Sequence, residues 1–201
     1  MFSMPNWCDV EYAFIGEKEE VKSFRNKLEK YTSDKFEGLE NDFGSCWEGN
    51  IAFGFGLDYA KIACRGEIEY ISEVSPIDDN DFFVFYVSAS DAWQPNYELF
   101  EQILLKFYSG TIGYEMIAEE VGCELYINTD TSGKFFPTRY RINLCKADDS
   151  IVEEAFANLE DVNRFISKEI GEEIHFDNTE DIEKYIEDQF EWVYVYKYAE
   201  E

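Results

Sequence analysis

The adjacent indole and thiol of Trp7 and Cys8 form the first pair in the sequence that could do chemistry. A nucleophilic thiol needs its pKa lowered by a cation, a histidine or a helix N-terminus. Asn6 and Asp9 flank this pair, and the single histidine, His175, lies far along the chain. A Cys/His pair would therefore require the C-terminal part to fold back onto the first strand. We interpret Trp7 and Cys8 as a buried anchor at the start of a strand.

Candidate metal ligands are present, but their patterns do not predict a metal site. One histidine among carboxylates rarely anchors a transition metal, so His175 is interpreted as a surface residue. The acidic run Asp78-Asp79-Asn80-Asp81 lacks the spacing and the terminal glutamate of a calcium loop, which favours a solvated turn. The five cysteines are odd in number and form no CxxC pair, unlike a disulfide framework or a zinc finger. The sequence predicts no metal and no cofactor.

Negative charge is the strongest feature of the composition. Lysine and arginine total 17 against 44 aspartates and glutamates, a formal net charge of −27. Such a field repels nucleic-acid phosphates and anionic membranes and attracts basic partners, although it also simply favours solubility. We therefore expect no direct nucleic-acid partner and no membrane partner, whereas a basic protein partner fits. Carboxylates are so abundant that none stands out as a general acid or base, and no catalytic residue is predicted.

Targeting signals are not apparent in the sequence. No run approaches the ~18 apolar residues that a membrane-spanning helix needs, and the opening Met1-Phe2-Ser3-Met4 lacks the basic start and long apolar stretch of a signal peptide. The predicted location is cytoplasmic.

The elements that position these residues follow from hydrophobic periodicity. A strand at 9–15 alternates polar and apolar residues, and the helix at 17–31 that follows it has its apolar residues at helical spacing. Asp91 is a candidate cap and Pro95 a first-turn residue for a second helix, at 97–107. Further strands are predicted at 51–57, 61–74, 82–89, 111–118, 122–128 and 134–145, a hairpin loop at 128–133, and two late helices around 162–170 and 182–190.

This order of elements predicts an α+β fold: a ferredoxin-like (split βαβ) antiparallel sheet with additional strands and C-terminal helices. We expect one domain at 1–146 and a helical extension at 147–201 that packs on the same core. From Lys146 onward the chain has 18 acids and 5 bases, a net charge of −13 in 56 residues. The predicted acidic surface for a partner consists of Glu153, Glu154, Glu160, Asp161, Glu172, Glu173, Asp181, Glu187 and Asp188.

Two short motifs resemble a known family. The opening Met4-Pro5-Asn6-Trp7-Cys8, followed by a strand, and the later Ala92-Trp93-Gln94-Pro95 are similar to motifs of the YubB-type ferredoxin-like family of phages, plasmids and other mobile elements. The segment 118–122 is a weaker match to a turn of that family. The resemblance implies Met4 as the ancestral start, a ferredoxin-like fold and a mobile-element setting. It implies no activity.

The resemblance covers residues 4–145 with two departures. Asp9-Val10 stands where the family often has asparagine, and Ala63-Cys64-Arg65-Gly66 stands where it has an Asn-Trp-Gly segment. Within the matched motifs, the residues that could bind a partner or support the fold are Asn6, Trp7, Cys8, Trp93 and Pro95.

Three functional hypotheses follow. The first is a non-enzymatic interaction module whose acidic surface meets a basic protein, with mimicry of nucleic-acid phosphate as one form of it. The second is a small enzyme with a cleft between the sheet and the C-terminal helices; a concave site with strongly shifted pKa values would favour it. The third is a structural homo-oligomer that associates through exposed aromatic residues.

Overall fold

The computed structural model describes residues 6–77 and 81–200. Within these ranges the chain is a mixed α+β protein with mostly antiparallel strands. The strands are β1 (Trp7–Glu17), β2 (Glu67–Ile71), β3 (Ser75–Pro76), β4 (Phe82–Ala92), β5 (Ile112–Glu120), β6 (Leu125–Asn128), β7 (Tyr140–Cys145), β8 (Ile151–Phe156) and β9 (Trp192–Lys197). The helices are α1 (Lys18–Tyr31), α2 (Glu48–Gly54), α3 (Tyr97–Phe107), α4 (Leu159–Ile170) and α5 (Thr179–Ile186). Met4 and Pro5 of the first motif, and positions 78–80 of the predicted turn, lie outside the described residues.

The chain divides into two compact units, Met1–Leu125 and Tyr126–Glu201. This division differs from the predicted boundary after residue 146. The reason is that β7 is the central strand of a sheet whose other two strands, β8 and β9, come later in the chain. The second unit is therefore more than a helical extension, since it has its own sheet. None of the helices in the described ranges has the length and apolar character that crossing a bilayer requires.

The first unit contains an antiparallel sheet in the order β2-β4-β1-β5, with the short β3 also paired to β4. Side chains alternate across β1, as the sequence predicts, so that Val10, Tyr12 and Phe14 are buried while Asp9 and Glu11 are exposed. The strand predicted at 82–89 is confirmed as part of β4, which lies between β1 and β2.

Aromatic rings form the centre of the core in the first unit. Phe14 of β1 lies 5.0 Å from Phe24 of α1 and 5.1 Å from Phe100 of α3, measured between ring centroids. Phe85 of β4 lies 5.2 Å from Phe14 in a stacked arrangement. Each such pair contributes about 1 kcal/mol beyond the burial of its surface, so part of the high aromatic content serves to hold α1 and α3 against the sheet.

Two predictions for the first unit are wrong. The predicted strand at 51–57 overlaps the helix α2, because Ile51, Ala52 and Phe55 are buried while Phe53 is exposed, which is helical spacing. The long strand predicted at 61–74 is reduced to β2, since the residues before Glu67 form turns and a loop.

The second unit has the sheet order β8-β7-β9, with both pairings antiparallel. The two predicted late helices are confirmed as α4 and α5, and each begins at an asparagine whose side chain accepts the N–H three residues later, Asn158 from Asp161 and Asn178 from Asp181. The sheet and helices share a buried cluster: Ile142, Leu144, Val162, Ile166, Ile174, Ile182, Ile186 and Val195.

The predicted hairpin at 128–133 is wrong. Strand β7 pairs with β8 and β9, so 128–133 does not connect two paired strands. Instead, the buried carboxylate of Asp130 organises this segment by accepting bonds from the main-chain N–H groups of Gly133, Phe135 and Phe136.

Candidate functional site

One end of the sheet in the first unit brings together the two sequence motifs. Trp7 and Cys8 at the start of β1 lie opposite Ala92 and Asp91 at the end of β4. The main-chain N–H of Trp93 donates to the carbonyl of Asn6 at 2.9 Å. Antiparallel pairing of β1 and β4 is the reason that segments more than 80 residues apart become neighbours. Pro95, also singled out in the sequence, is buried just before α3.

Tryptophans surround a cavity at this end of the sheet. The cavity, which we call the tryptophan cavity, has a volume of about 510 Å³, and Trp7, Trp47 and Trp93 are among its lining residues. These are three of the four tryptophans of the chain. Trp7 is 51% exposed, so the prediction of a buried anchor is wrong for Trp7, and Trp93 is 41% exposed. Both tryptophans are therefore partly accessible to a ligand in the cavity, although large aromatic side chains are more often buried.

Backbone geometry holds Trp93 in its exposed position. Its φ of 76° lies in the left-handed region, which is costly for a bulky residue. Trp47 is fixed differently, because its indole N–H donates to the carbonyl of Cys64 at 2.9 Å. The rings therefore line the cavity in defined orientations.

A second cavity adjoins the first and shares Arg65, Gly66, Ala92 and Trp93 with it. This acidic cavity, as we call it, has a volume of about 400 Å³. Its lining includes three carboxylates, Asp91, Glu98 and Glu101, together with the N-terminal end of α3 at Asn96.

A buried carboxyl pair, Glu48 and Asp91, forms the polar centre of this region. Glu48 has no exposed surface and Asp91 is 1% exposed. One oxygen of Glu48 accepts bonds from the Gly66 N–H at 3.2 Å and from the Asn96 side-chain amide at 2.7 Å. One oxygen of Asp91 accepts the main-chain N–H of Asn96 at 2.8 Å. The other oxygens, Glu48 Oε1 and Asp91 Oδ1, accept no bond from an N–H group, and the two carboxyl groups are hydrogen-bonded to each other.

Burial and mutual repulsion shift the ionisation of this pair. Burial raises the pKa of Asp91 to about 6, although the bond from the Asn96 N–H acts in the opposite direction. Burial first, and then the charge of Asp91, raise the pKa of Glu48 well above its ordinary range. Burial and the neighbouring charge therefore both favour the protonated form of Glu48.

The two nearby thiols are not activated. Burial, followed by the charges of Asp91, Asp9 and Glu120, raises the pKa of Cys8 to about 12. Burial and the charge of Glu48 likewise raise the pKa of Cys64 to about 12. Both cysteines are protonated at neutral pH, which agrees with the interpretation of Cys8 as a structural residue.

The acidic residues predicted as a partner surface all lie in the second unit. They are exposed except for Asp161, which is half-buried. Several have partners within the unit: Glu153 lies 3.8 Å from Arg141, and Glu160 and Asp161 lie 3.2 Å and 2.8 Å from Arg164. His175 is exposed, as expected, and lies 3.9 Å from Asp177. Across residues 6–77 and 81–200, no group of three or more side chains is arranged to hold a metal ion.

Sequence reasoning missed Trp47, Glu48 and Gly66 as site residues. Trp47 and Glu48 fell in a predicted loop, and Gly66 in a predicted strand. Gly66 had a usable signal, since glycine within a strand pattern marks a close approach of backbone to another group. A Cβ at this position would collide with Asp91 Oδ1.

Comparison of the chain with protein-family models, with curated proteins and with solved structures finds no match.

Proposed function

We propose that the protein is a non-enzymatic interaction module whose first unit binds a basic protein partner at the tryptophan cavity. The observation that carries this proposal is the position of three of the four tryptophans around one cavity, two of them with rings 41% and 51% exposed. Exposed tryptophans of this kind are typical of binding hot spots, because a large ring gains much contact area and loses little entropy.

The charge beside the cavity favours a basic partner. Asp9 and Glu11 follow Trp7 on the same face of β1, and Glu67 of β2 lines the cavity itself. Glu67 and Asp9 both lie opposite Ser90 of β4, so the two acidic residues are on one face of the sheet, two strand spacings (about 10 Å) apart. Carboxylates that share a face repel one another, and a cationic partner would relieve the repulsion. A nucleic-acid-binding protein would meet these carboxylates in place of phosphates, which is the mimicry form of the proposal.

We also propose that the first unit has the ferredoxin-like split βαβ plan. The order β2-β4-β1-β5, all antiparallel, and the helices after β1 and β4 support it. We also propose that the chain is related to the YubB-type family and so belongs to a mobile element. This proposal is based only on the residues of the two motifs. RNA-binding sheets of this plan use basic and aromatic faces. In this chain the exposed residues Asp9, Glu11 and Glu67 give the sheet an acidic face, which does not favour RNA binding.

The first unit is a better candidate for the partner surface than the acids of the second unit. Glu153, Glu160 and Asp161 already face arginines of their own unit, and exposed ion pairs of this type leave little uncompensated charge.

An enzyme is the second candidate function. It is favoured by the raised pKa of Asp91, which lines the acidic cavity, and by the raised pKa of its neighbour Glu48. Turnover of a small substrate that is lost in Asp91→Asn would support it over a binding module.

The test is a titration with two peptides of equal length. One contains lysine, arginine and leucine, and in the other each basic residue is replaced by glutamate. The readout is tryptophan fluorescence in a Trp192→Phe background, where all remaining tryptophans line the cavity. We expect the basic peptide alone to bind, more weakly as salt rises.

Trp93→Ala should lower the affinity for the basic peptide by about tenfold or more. Tyr194→Ala, which removes an exposed ring from the second unit, is the matched control and should leave it unchanged. Equal binding of both peptides, or an unchanged affinity in Trp93→Ala, would exclude the proposed function.

A further inference from the structure

We infer that the acidic cavity is a binding site for one guanidinium or primary ammonium group, with Asp91 as its acceptor, and that binding there releases a proton held by Glu48. The inference rests on the proposed function in one respect: the cation is taken to be a side chain of the basic partner. The site itself is distinct from the tryptophan cavity, with which it shares only part of its lining.

The acceptors in the acidic cavity define the chemistry of the ligand. Asp91 lines the cavity and is almost completely buried, and one of its oxygens accepts no bond from an N–H group. Glu98 and Glu101 are exposed carboxylates that line the same cavity. A guanidinium or ammonium group has only donors and needs several acceptors at once. An anionic ligand would meet three carboxylates and is excluded on charge.

The carboxyl pair holds one proton. Glu48 and Asp91 both accept bonds from Asn96, one from its side chain and one from its main chain, so the two carboxyl groups share a single partner residue. No basic side chain is among the main causes of the shifted pKa of either group. Two buried carboxylates this close cannot both be ionised, because neither is neutralised by a cation. One proton between Glu48 Oε1 and Asp91 Oδ1 accounts for both oxygens that have no other partner.

The surroundings of the pair contain other titratable groups from every neighbouring element. Among them the thiols of Cys8 and Cys64 are held neutral by burial and nearby carboxylates, which raise the pKa of each to about 12. Burial also raises the pKa of the Tyr12 hydroxyl. These groups include Cys8, Asp9 and Tyr12 of β1, Cys64 and Arg65 before β2, Tyr97, Glu98 and Glu101 of α3, and Tyr114 and Glu120 of β5.

The direction of the proton linkage follows from charge. A cation beside the pair favours the ionised form of both carboxyl groups, so Glu48 gives up its proton on binding. Affinity for the cation therefore rises with pH, by up to about tenfold per pH unit, in the range where the free pair is protonated and the bound pair is not. Arg65, an exposed cation of the same lining, competes with the ligand.

The experiment is calorimetric titration with N-acetylarginine amide, using the neutral N-acetylcitrulline amide as the matched control. Each titration is run at one pH in two buffers of different ionisation enthalpy. We expect only the arginine probe to bind, with a buffer-dependent heat that reports proton release. Equal behaviour of the two probes would overturn the site, and binding of the arginine probe without buffer dependence would overturn the proton linkage.

Variants separate the roles of the two carboxyl groups. Glu48→Gln should bind the arginine probe with no buffer-dependent heat, and Asp91→Asn should bind at least about tenfold more weakly. Arg65→Gln should bind a few-fold more tightly. If Asp91→Asn does not fold, Glu98→Gln combined with Glu101→Gln, at two exposed positions, should still weaken binding a few-fold. Unchanged affinity in that double variant would overturn the site.

Failure of this inference can be told apart from failure of the proposed function. The basic peptide reports on the tryptophan cavity through fluorescence, and Trp93→Ala tests it independently of Glu48. Infrared spectroscopy of the free protein should show the C=O stretch of a protonated carboxyl that disappears in Glu48→Gln. Absence of that band would overturn the shared proton even where both ligands bind.

Discussion

Replacing Glu48 by glutamine should make the stability of the first unit less sensitive to pH. The glutamine carbonyl can accept the bonds that Glu48 receives from the Gly66 N–H and the Asn96 amide. Its NH₂ group can donate to Asp91, as the protonated carboxyl does. Glutamine therefore reproduces the neutral form of Glu48 and cannot ionise.

The size of the effect follows from proton linkage. An ordinary glutamate in the unfolded chain loses its proton above a pKa of 4.5, whereas burial and the charge of Asp91 raise the pKa of Glu48 in the folded protein. The contribution of Glu48 to the free energy of unfolding is therefore greatest below pH 4.5. Above pH 4.5 this contribution falls by about 1.4 kcal/mol per pH unit, until Glu48 also ionises in the folded protein. The advantage of Glu48→Gln should grow by the same amount per pH unit over the range in which only the unfolded chain has ionised Glu48.

The assay is urea unfolding across this pH range, followed by tryptophan fluorescence in a Trp192→Phe background so that the signal comes from the first unit. Glu40→Gln, at an exposed position, is the matched control and should follow the wild-type curve. Parallel pH dependences for Glu48→Gln and the wild-type protein would mean that Glu48 is ionised in the folded state, and the reasoning about the pair would be refuted.

Three further predictions concern packing, thiols and capping. Gly66→Ala should destabilise the first unit by about 2 kcal/mol in urea unfolding, because the new methyl meets Asp91 Oδ1. Gly113→Ala, where the methyl meets no atom within 4 Å, should not. Mass spectrometry of alkylated native protein should find exposed Cys123 modified before buried Cys8, whose pKa is raised to about 12; modification in the reverse order would contradict the burial argument. Asn178→Ala should cost about 1 kcal/mol in thermal unfolding of the second unit, and an unchanged midpoint would show that the cap of α5 is dispensable.

Elements with a strong local pattern could be predicted from the sequence, as β1, α1, α3, α4 and α5 illustrate. Strand β9 was missed although Val193, Tyr194, Val195 and Tyr196 are residue types typical of strands. Only its partner, β7, about 50 residues earlier, could not be predicted from a local pattern. Helix α2 was missed because Ile51, Phe53 and Phe55 alternate as in a strand. Burial of Ile51 and Phe55 but not Phe53 distinguishes the two, and burial is a tertiary property.

The candidate site likewise contains some residues that could be predicted from the sequence and some that could not. Trp7 and Trp93 could be identified from motifs, and pairing of β1 with β4 brings them together. Glu48 could not be identified, since one carboxylate among 44 acids is distinguished only by its environment. That environment depends on how α2 packs beside Gly66 and Asn96, contacts 18 and 48 residues away in the sequence.

The concentration of unfavourable features at one end of the first unit is itself an argument for function. Residues 1–125 contain 25 acids and 9 bases, so the electrostatic field of the unit already opposes ionisation of another buried carboxyl. A pair of apolar residues at the positions of Glu48 and Asp91 would be at least as stable as a buried carboxyl pair. The left-handed φ of Trp93 and the exposed rings of Trp7 and Trp93 are further costs at the same place. Stability alone explains none of these features, whereas a site that recognises a cation between carboxylates and indole rings requires them together.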